Sequence, residues 1–145
     1  MTLNLIKLAV GIQTLEELPE AQKKWMTTYH GQKAFPVYTR RKPTRDKEIM
    51  KDGGSLYRVI KSRIQCRQQI LGIELIEDDD EHEGSYCLIF CDPEVIQTVS
   101  QPHRPFQGWR YFESDKAPED RGLFVPGQAP LDPQMEAELR EAGLL

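Results

Sequence analysis

The sequence predicts an α+β fold: a mixed, mainly antiparallel sheet of five or six strands, curled toward a small β-barrel, with flanking helices. Three observations carry that prediction. Short runs rich in Leu, Ile, Val and aromatic residues recur from Leu3 to Phe112, and Gly and Pro punctuate them. Helical spacing is confined to the segment after Thr14, a turn near Arg45 and a stretch close to the C-terminus. The chain has 145 residues and a mean hydropathy of -0.58, the size and polarity of one globular domain over 1–145.

The elements follow in order. Asn4–Val10 alternates loosely, with Leu3, Leu5, Leu8 and Val10 apolar, which suits a first strand ending at Gly11. Thr14 stands three residues before Glu17, the spacing of a capping box, and predicts a helix to about Tyr29 closed by His30-Gly31. Leu15, Leu18, Trp25 and Met26 are its candidate core contacts, and Pro19 must bend the helix or postpone its start. Phe35–Arg41 reads as a strand ended by Pro43, and Arg45–Lys51 as a helical turn stopped by Gly53-Gly54. Ser55–Lys61 is the clearest strand. A second extended stretch follows within Arg63–Ile76, where Gly72 marks a candidate bulge. The acidic stretch 77–83 reads as a solvated hairpin loop leading into the strand Ser85–Cys91. Glu94–Val99 is a short strand or helix, and Gln107–Glu113 the last strand. Residues 115–145 form a Pro- and Gly-rich tail with a short terminal helix over Met135–Ala142.

Charge is segregated along the chain. Residues 1–32 are neutral overall, 33–67 carry +8 and 68–145 carry -12, which together give the net charge of -4. Eleven cations within 33–67 make a local field that attracts phosphates over a Debye length of about 10 Å, whatever the sign of the total. The competing expectation is that the acidic half folds against the basic half and neutralises it. No apolar run approaches the roughly 20 residues of a membrane span, and residues 1–11 are expected to be a strand rather than a secretory signal. Three cysteines exclude a disulfide framework and suit a cytoplasmic protein with thiols packed in its core.

Cofactor and metal motifs are absent. There is no Walker loop, no GxGxxG, no GxSxG and no HExxH, and no Cys–His spacing resembles a zinc site. Two segments stand out: GGSLYRVIKSRIQCRQ (53–68) and HRPFQGWRYF (103–112). The first sets Arg58, Lys61, Arg63 and Arg67 on or beside a strand pair. The second interleaves Arg104 and Arg110 with Phe106, Trp109, Tyr111 and Phe112. Aromatic faces beside guanidinium groups can stack a base and neutralise its phosphate.

These segments, with DKAPED (115–120), resemble an uncharacterised bacterial family, domain of unknown function fourteen eighty-nine, over nearly the whole chain. That resemblance implies no activity. A short helix, a Gly turn and two strands (KEIMKDGGSLYRVIKSR, then IxGIxxI) are in turn similar to the core of PUA-like domains of the EVE and ASCH branches. This second resemblance implies a small β-barrel that binds RNA or modified bases. The GKKTxExR-type signature of ASCH proteins is missing, so no catalytic role carries over.

The expected function is therefore a non-enzymatic RNA or modified-nucleotide binding module. Arg40, Arg41, Lys61, Arg63 and Arg67 would contact phosphate, and Trp109, Tyr111 or Tyr57 would stack a base. Trp109 is expected to share one concave surface with at least two of Arg58, Lys61, Arg63, Arg67, Arg104 and Arg110. Two alternatives compete with this reading. One is an enzyme of nucleotide or RNA metabolism using His103, Lys61 or Glu74. The other is a protein-interaction module whose terminal helix presents Met135, Leu139, Leu144 and Leu145.

Overall fold

The computed structural model describes residues 2–77, 84–126, 137, 138 and 140–143. Among them strand far outweighs helix. The strands are β1 (Leu3–Leu8), β2 (Thr27–Tyr29), β3 (Gln32–Thr39), β4 (Ser55–Ile60), β5 (Arg63–Ile76), β6 (Tyr86–Cys91), β7 (Ile96–Pro102), β8 (Trp109–Glu113) and β9 (Asp120–Leu123). The two α-helices, α1 (Glu17–Lys23) and α2 (Asp46–Asp52), have seven residues each. No helix among the described residues is long and apolar enough to cross a membrane.

All strands join one mixed sheet in the path β2-β3-β6-β5-β4-β1-β8, with β7 paired to β5 and β9 to β7. Only β1 and β4 run parallel; the other pairings are antiparallel. The sheet does not close into a barrel, because its terminal strands β2 and β8 are not paired with each other. It curls instead. Leu3 and Leu5 of β1, Val37 of β3, Ile89 of β6 and Trp109 of β8 pack in one cluster, so strands from both ends of the path face a common interior. The fourteen-residue β5 makes this possible. Its first part pairs with β4 and β7 and its second part with β6, and its pairing register shifts between Ile70 and Gly72.

Gly72 is required where the chain bends. A methyl group there would lie 2.1 Å from the Tyr29 hydroxyl. Tyr29 stacks on Phe90 at 4.3 Å and donates to Glu74 at 2.7 Å. Burial, then the Glu74 bond and charge, push the Tyr29 phenol up to about 12.

Tyr29 thus belongs to a strand, which corrects the expected helix from Thr14 to Tyr29. Pro19 does postpone α1, which begins at Glu17 and ends at Lys23. Beyond it, β-branched Thr27 and Thr28 favour a strand. His30 and Gly31, at φ 47° and 82°, form the two-residue hairpin turn into β3 rather than a helix end. Leu15 and Leu18 are buried as expected, but Trp25, just past the shortened helix, is 69% exposed.

The 115–145 segment is bound more closely than a loose tail at its start. β9 pairs with β7, and Phe124 is buried with Leu15, Leu18 and Val95. Within the expected terminal helix, Ala137, Glu138, Arg140 and Glu141 are helical. Its apolar residues Met135, Leu139, Leu144 and Leu145 lie outside the described residues, as does the acidic loop 78–83.

Cys66, Cys87 and Cys91 are buried free thiols. Burial pushes Cys66 and Cys91 up to about 12 and Cys87 up to about 11. At pH 8 a thiol of pKa about 12 is a thiolate in roughly one molecule in ten thousand. All three cysteines are therefore expected to resist an aromatic disulfide reagent in the native protein and to react at once in denaturant. Rapid labelling of any of them in the folded protein would contradict their burial.

Candidate functional site

The site is built where β1 lies between β4 and β8. Lys7 is paired in register with Arg58 on one side and with Trp109 on the other. Directly paired residues share a face of a sheet, so Arg58, Lys7 and Trp109 form one row across three strands spaced about 4.8 Å apart. Their face is the concave one. Leu3, Leu5, Leu56 and Trp109 belong to its core cluster, and Tyr111 packs against it. The neighbouring positions Ile6, Tyr57 and Phe112 pack on the opposite face, where Tyr57 meets Phe112 edge-on at 5.2 Å. Tyr57 is therefore set apart from Trp109 and Tyr111.

The segment after β3 crosses to β8 and is held there by two aromatic side chains. The Trp109 indole N–H donates to the Arg41 carbonyl at 2.6 Å, and the Arg41 guanidinium lies over the indole ring at 5.1 Å. The Tyr111 hydroxyl accepts the Arg45 backbone N–H at 3.1 Å and lies 3.3 Å from the Thr44 hydroxyl. Arg45 in turn covers the Tyr111 ring at 5.3 Å and is paired with Glu48, which holds that carboxyl below its usual range. Side chains rather than a backbone ladder join the two ends of the curled sheet.

Two hollows open beside this junction, of about 400 and 420 Å³. The first is lined by Lys7, Tyr38, Thr39, Arg40, Arg41, Gln107, Gly108 and Trp109. The second is lined by Arg41, Lys42, Thr44, Trp109, Arg110 and Tyr111. Trp109 and Arg41 form the wall they share. The cationic residues of the two linings are Lys7, Arg40, Arg41, Lys42 and Arg110. Of these, Lys42 is paired with Asp46 at 3.3 Å and Arg110 turns its guanidinium to Phe106, and no acid is among the described lining residues.

Among the expected site residues, the structure brings Arg40, Arg41, Trp109, Arg110 and Tyr111 together, and Arg58 lies next to Lys7 behind them. The others lie elsewhere. Lys61 is a positive-φ residue at the tip of the β4–β5 hairpin. Arg63 donates to the Ser100 hydroxyl. Arg67 forms a bidentate pair with Asp120 at 2.8 and 2.7 Å, which holds the Asp120 carboxyl below its ordinary value. That pair is where the acidic part of the chain does meet the basic part. Arg104 sits in the loop before β8, where its carbonyl accepts from the His103 ring at 2.9 Å. Arg110 covers Phe106 at 4.4 Å.

Of the six cations expected beside Trp109, Arg58 shares its face as a buried residue and Arg110 lines the second hollow with it, while Lys61, Arg63, Arg67 and Arg104 lie elsewhere. The reason is strand order. With β1 inserted between β4 and β8, the cations nearest Trp109 come from β1 and from the segment after β3. Of the three enzyme candidates, Lys61 stands at the tip of the β4–β5 hairpin. His103 hydrogen-bonds a carbonyl, and Glu74 is taken by Tyr29.

Lys7 and Tyr38 are the residues that sequence reasoning missed. Lys7 carried a signal, because it interrupts the inward positions Leu3, Leu5 and Ala9. Arg58 interrupts Leu56 and Ile60 in the same way. Tyr38 is 52% exposed and is the accessible aromatic of the first hollow, whereas Trp109 is only 8% exposed.

The model of the family described as Protein of unknown function (DUF1489) matches residues 5–145. The chain belongs to this family. Its match spans both walls of the site, from β1 through the β3–α2 segment to β8. No curated protein and no solved structure matches the chain.

Proposed function

We propose that this protein is a non-enzymatic, cytoplasmic binder of RNA or modified nucleotides, working as a PUA-like module. The observation that carries the reading is the pair of hollows at the Trp109–Arg41 wall. Three cations, Lys7, Arg40 and Arg41, line the first hollow with an exposed tyrosine, Lys42 of the second is paired with Asp46 at 3.3 Å, and no carboxylate is among the described lining residues. Cations beside a stacking face are the chemistry that single-stranded nucleic acid uses, with phosphates neutralised and bases laid on aromatic or guanidinium planes. In this reading Tyr38 and the Arg41 plane take the base, and Trp109 holds Arg41 in place from behind.

Titration of fluorescently labelled single-stranded RNA and DNA at several salt concentrations tests it. Engagement of Lys7, Arg40 and Arg41 predicts that log K falls with log salt at a slope of about -2. Tyr38→Ala is expected to weaken binding about tenfold, the value of one stacked base. Absence of binding to RNA, DNA and mononucleotides even at low salt would sink the reading.

A further inference from the structure

Arg58 is the least satisfied polar group of the concave face. It is 6% exposed, yet its Nε and Nη1 have no hydrogen-bond partner among the described residues. Its remaining nitrogen, Nη2, reaches the Leu8 carbonyl only at 3.4 Å. A guanidinium offers five N–H donors and stays charged in proteins, so a buried one with idle donors carries a large desolvation cost. Lys7 raises that cost. It sits opposite Arg58 on the adjoining parallel strand, itself partly buried, with its ammonium held below the ordinary lysine value by burial and by the Arg58 charge. Two cations at paired positions, one of them buried, oppose folding unless something anionic lies between or above them.

Lys7 lines the first hollow together with Trp109, Arg40 and Arg41, and Arg58, the next member of the row Trp109–Lys7–Arg58, is buried behind it. We infer that Lys7 and Arg58 form an end-phosphate subsite, which takes the terminal phosphate monoester of a nucleotide or of an RNA strand. Charge and shape select that group. The two side chains present a +2 charge and only donors, matching a dianion with three free oxygens. An internal phosphodiester has one charge and is substituted on both sides, so it cannot reach a side chain this deeply covered without burying two nucleosides. A terminal monoester can enter phosphate first. Trp109 and Arg58 stand two strand spacings apart, about 10 Å, the scale of a single nucleotide.

The inference rests on the nucleic-acid reading above, and its test separates the two. One short RNA is compared in three forms, with a 5′-phosphate, with a 3′-phosphate and with hydroxyls at both ends. Each is titrated into the wild-type protein, Lys7→Gln and Arg58→Met. At least one phosphorylated form is expected to bind wild type about tenfold or more tightly than the hydroxyl form, as befits new charge-assisted hydrogen bonds. That preference is expected to vanish in both variants. Equal binding of all three forms to wild type overturns the subsite and leaves the groove reading standing. No binding of any form at low salt overturns both.

Thermal unfolding supplies an independent measurement. Arg58→Met is expected to melt several degrees above wild type, because an unpaired buried charge is replaced by apolar packing. Millimolar inorganic phosphate is expected to raise the wild-type midpoint and leave that of Arg58→Met unchanged. Phosphate shifting both proteins equally, or neither, contradicts the subsite. Should Arg58→Met fail to fold, Lys7→Gln, at a partly exposed position, carries the same comparison.

Discussion

Trp109→Ala is expected to lower the midpoint of thermal unfolding by roughly 10 °C, since truncating a buried tryptophan costs about 3–5 kcal/mol. The indole fills the core cluster with Leu3, Leu5 and Leu56 and meets Tyr111 edge-on at 4.9 Å. Its N–H also anchors the Arg41 carbonyl, so the truncation releases the segment that carries Arg40, Arg41 and Lys42. Affinity for single-stranded RNA is therefore expected to fall tenfold or more at the same time. Trp109→Phe separates the two effects. It keeps most of the apolar packing and loses the hydrogen bond, worth about 1 kcal/mol, so it should fold well yet bind less tightly. Calorimetry and anisotropy titrations on both variants decide the matter. A Trp109→Ala protein as stable as wild type would show that the indole does not join the two ends of the sheet.

Gly54→Ala is expected to cost about 3 kcal/mol, or roughly 10 °C, although it adds a single methyl group. That methyl would lie 2.2 Å from the Leu3 carbonyl oxygen and 2.8 Å from Cγ2 of Ile49. Leu3 is 3% exposed and Ile49 fully buried, and the carbonyl belongs to the backbone of β1, so neither can move aside cheaply. The neighbouring residue provides the control. Gly53 ends α2 at φ 70°, and a side chain there would meet nothing closer than 3.7 Å. Gly53→Ala should therefore lose only the about 1 kcal/mol of a left-handed backbone. If denaturant melts rank the two in the opposite order, the close approach of β1 to the start of β4 is wrong.

Much of the architecture was legible in the sequence because its signals are local. Alternation, the Gly53-Gly54 stop and the bend at Gly72 depend on neighbours within a few residues, and the strands at 55–61, 63–76 and 85–91 follow closely. His30-Gly31 was misread for the same reason. A glycine after a polar residue can close a helix or turn a hairpin, and the partner strand decides which. Segregation of charge was also visible, but it did not indicate that Arg41 would lie over Trp109.

What the sequence could not contain is which strands lie side by side. Composition and spacing determined a β-rich chain, buried thiols and a basic segment between residues 33 and 67. Tertiary structure decided that β1 separates β4 from β8, which divides Tyr57 from Trp109 and places Lys7 between Arg58 and Trp109. It also sent Arg63 to Ser100 and Arg67 to Asp120, away from the groove. The physical reason is that strand order is a non-local choice. It is set by which apolar faces can be buried together, here Leu3 and Leu5 against Leu56, Val37 and Ile89. A lysine and an arginine inside two apolar alternations are visible as isolated exceptions in the sequence; only the register between their strands puts them side by side.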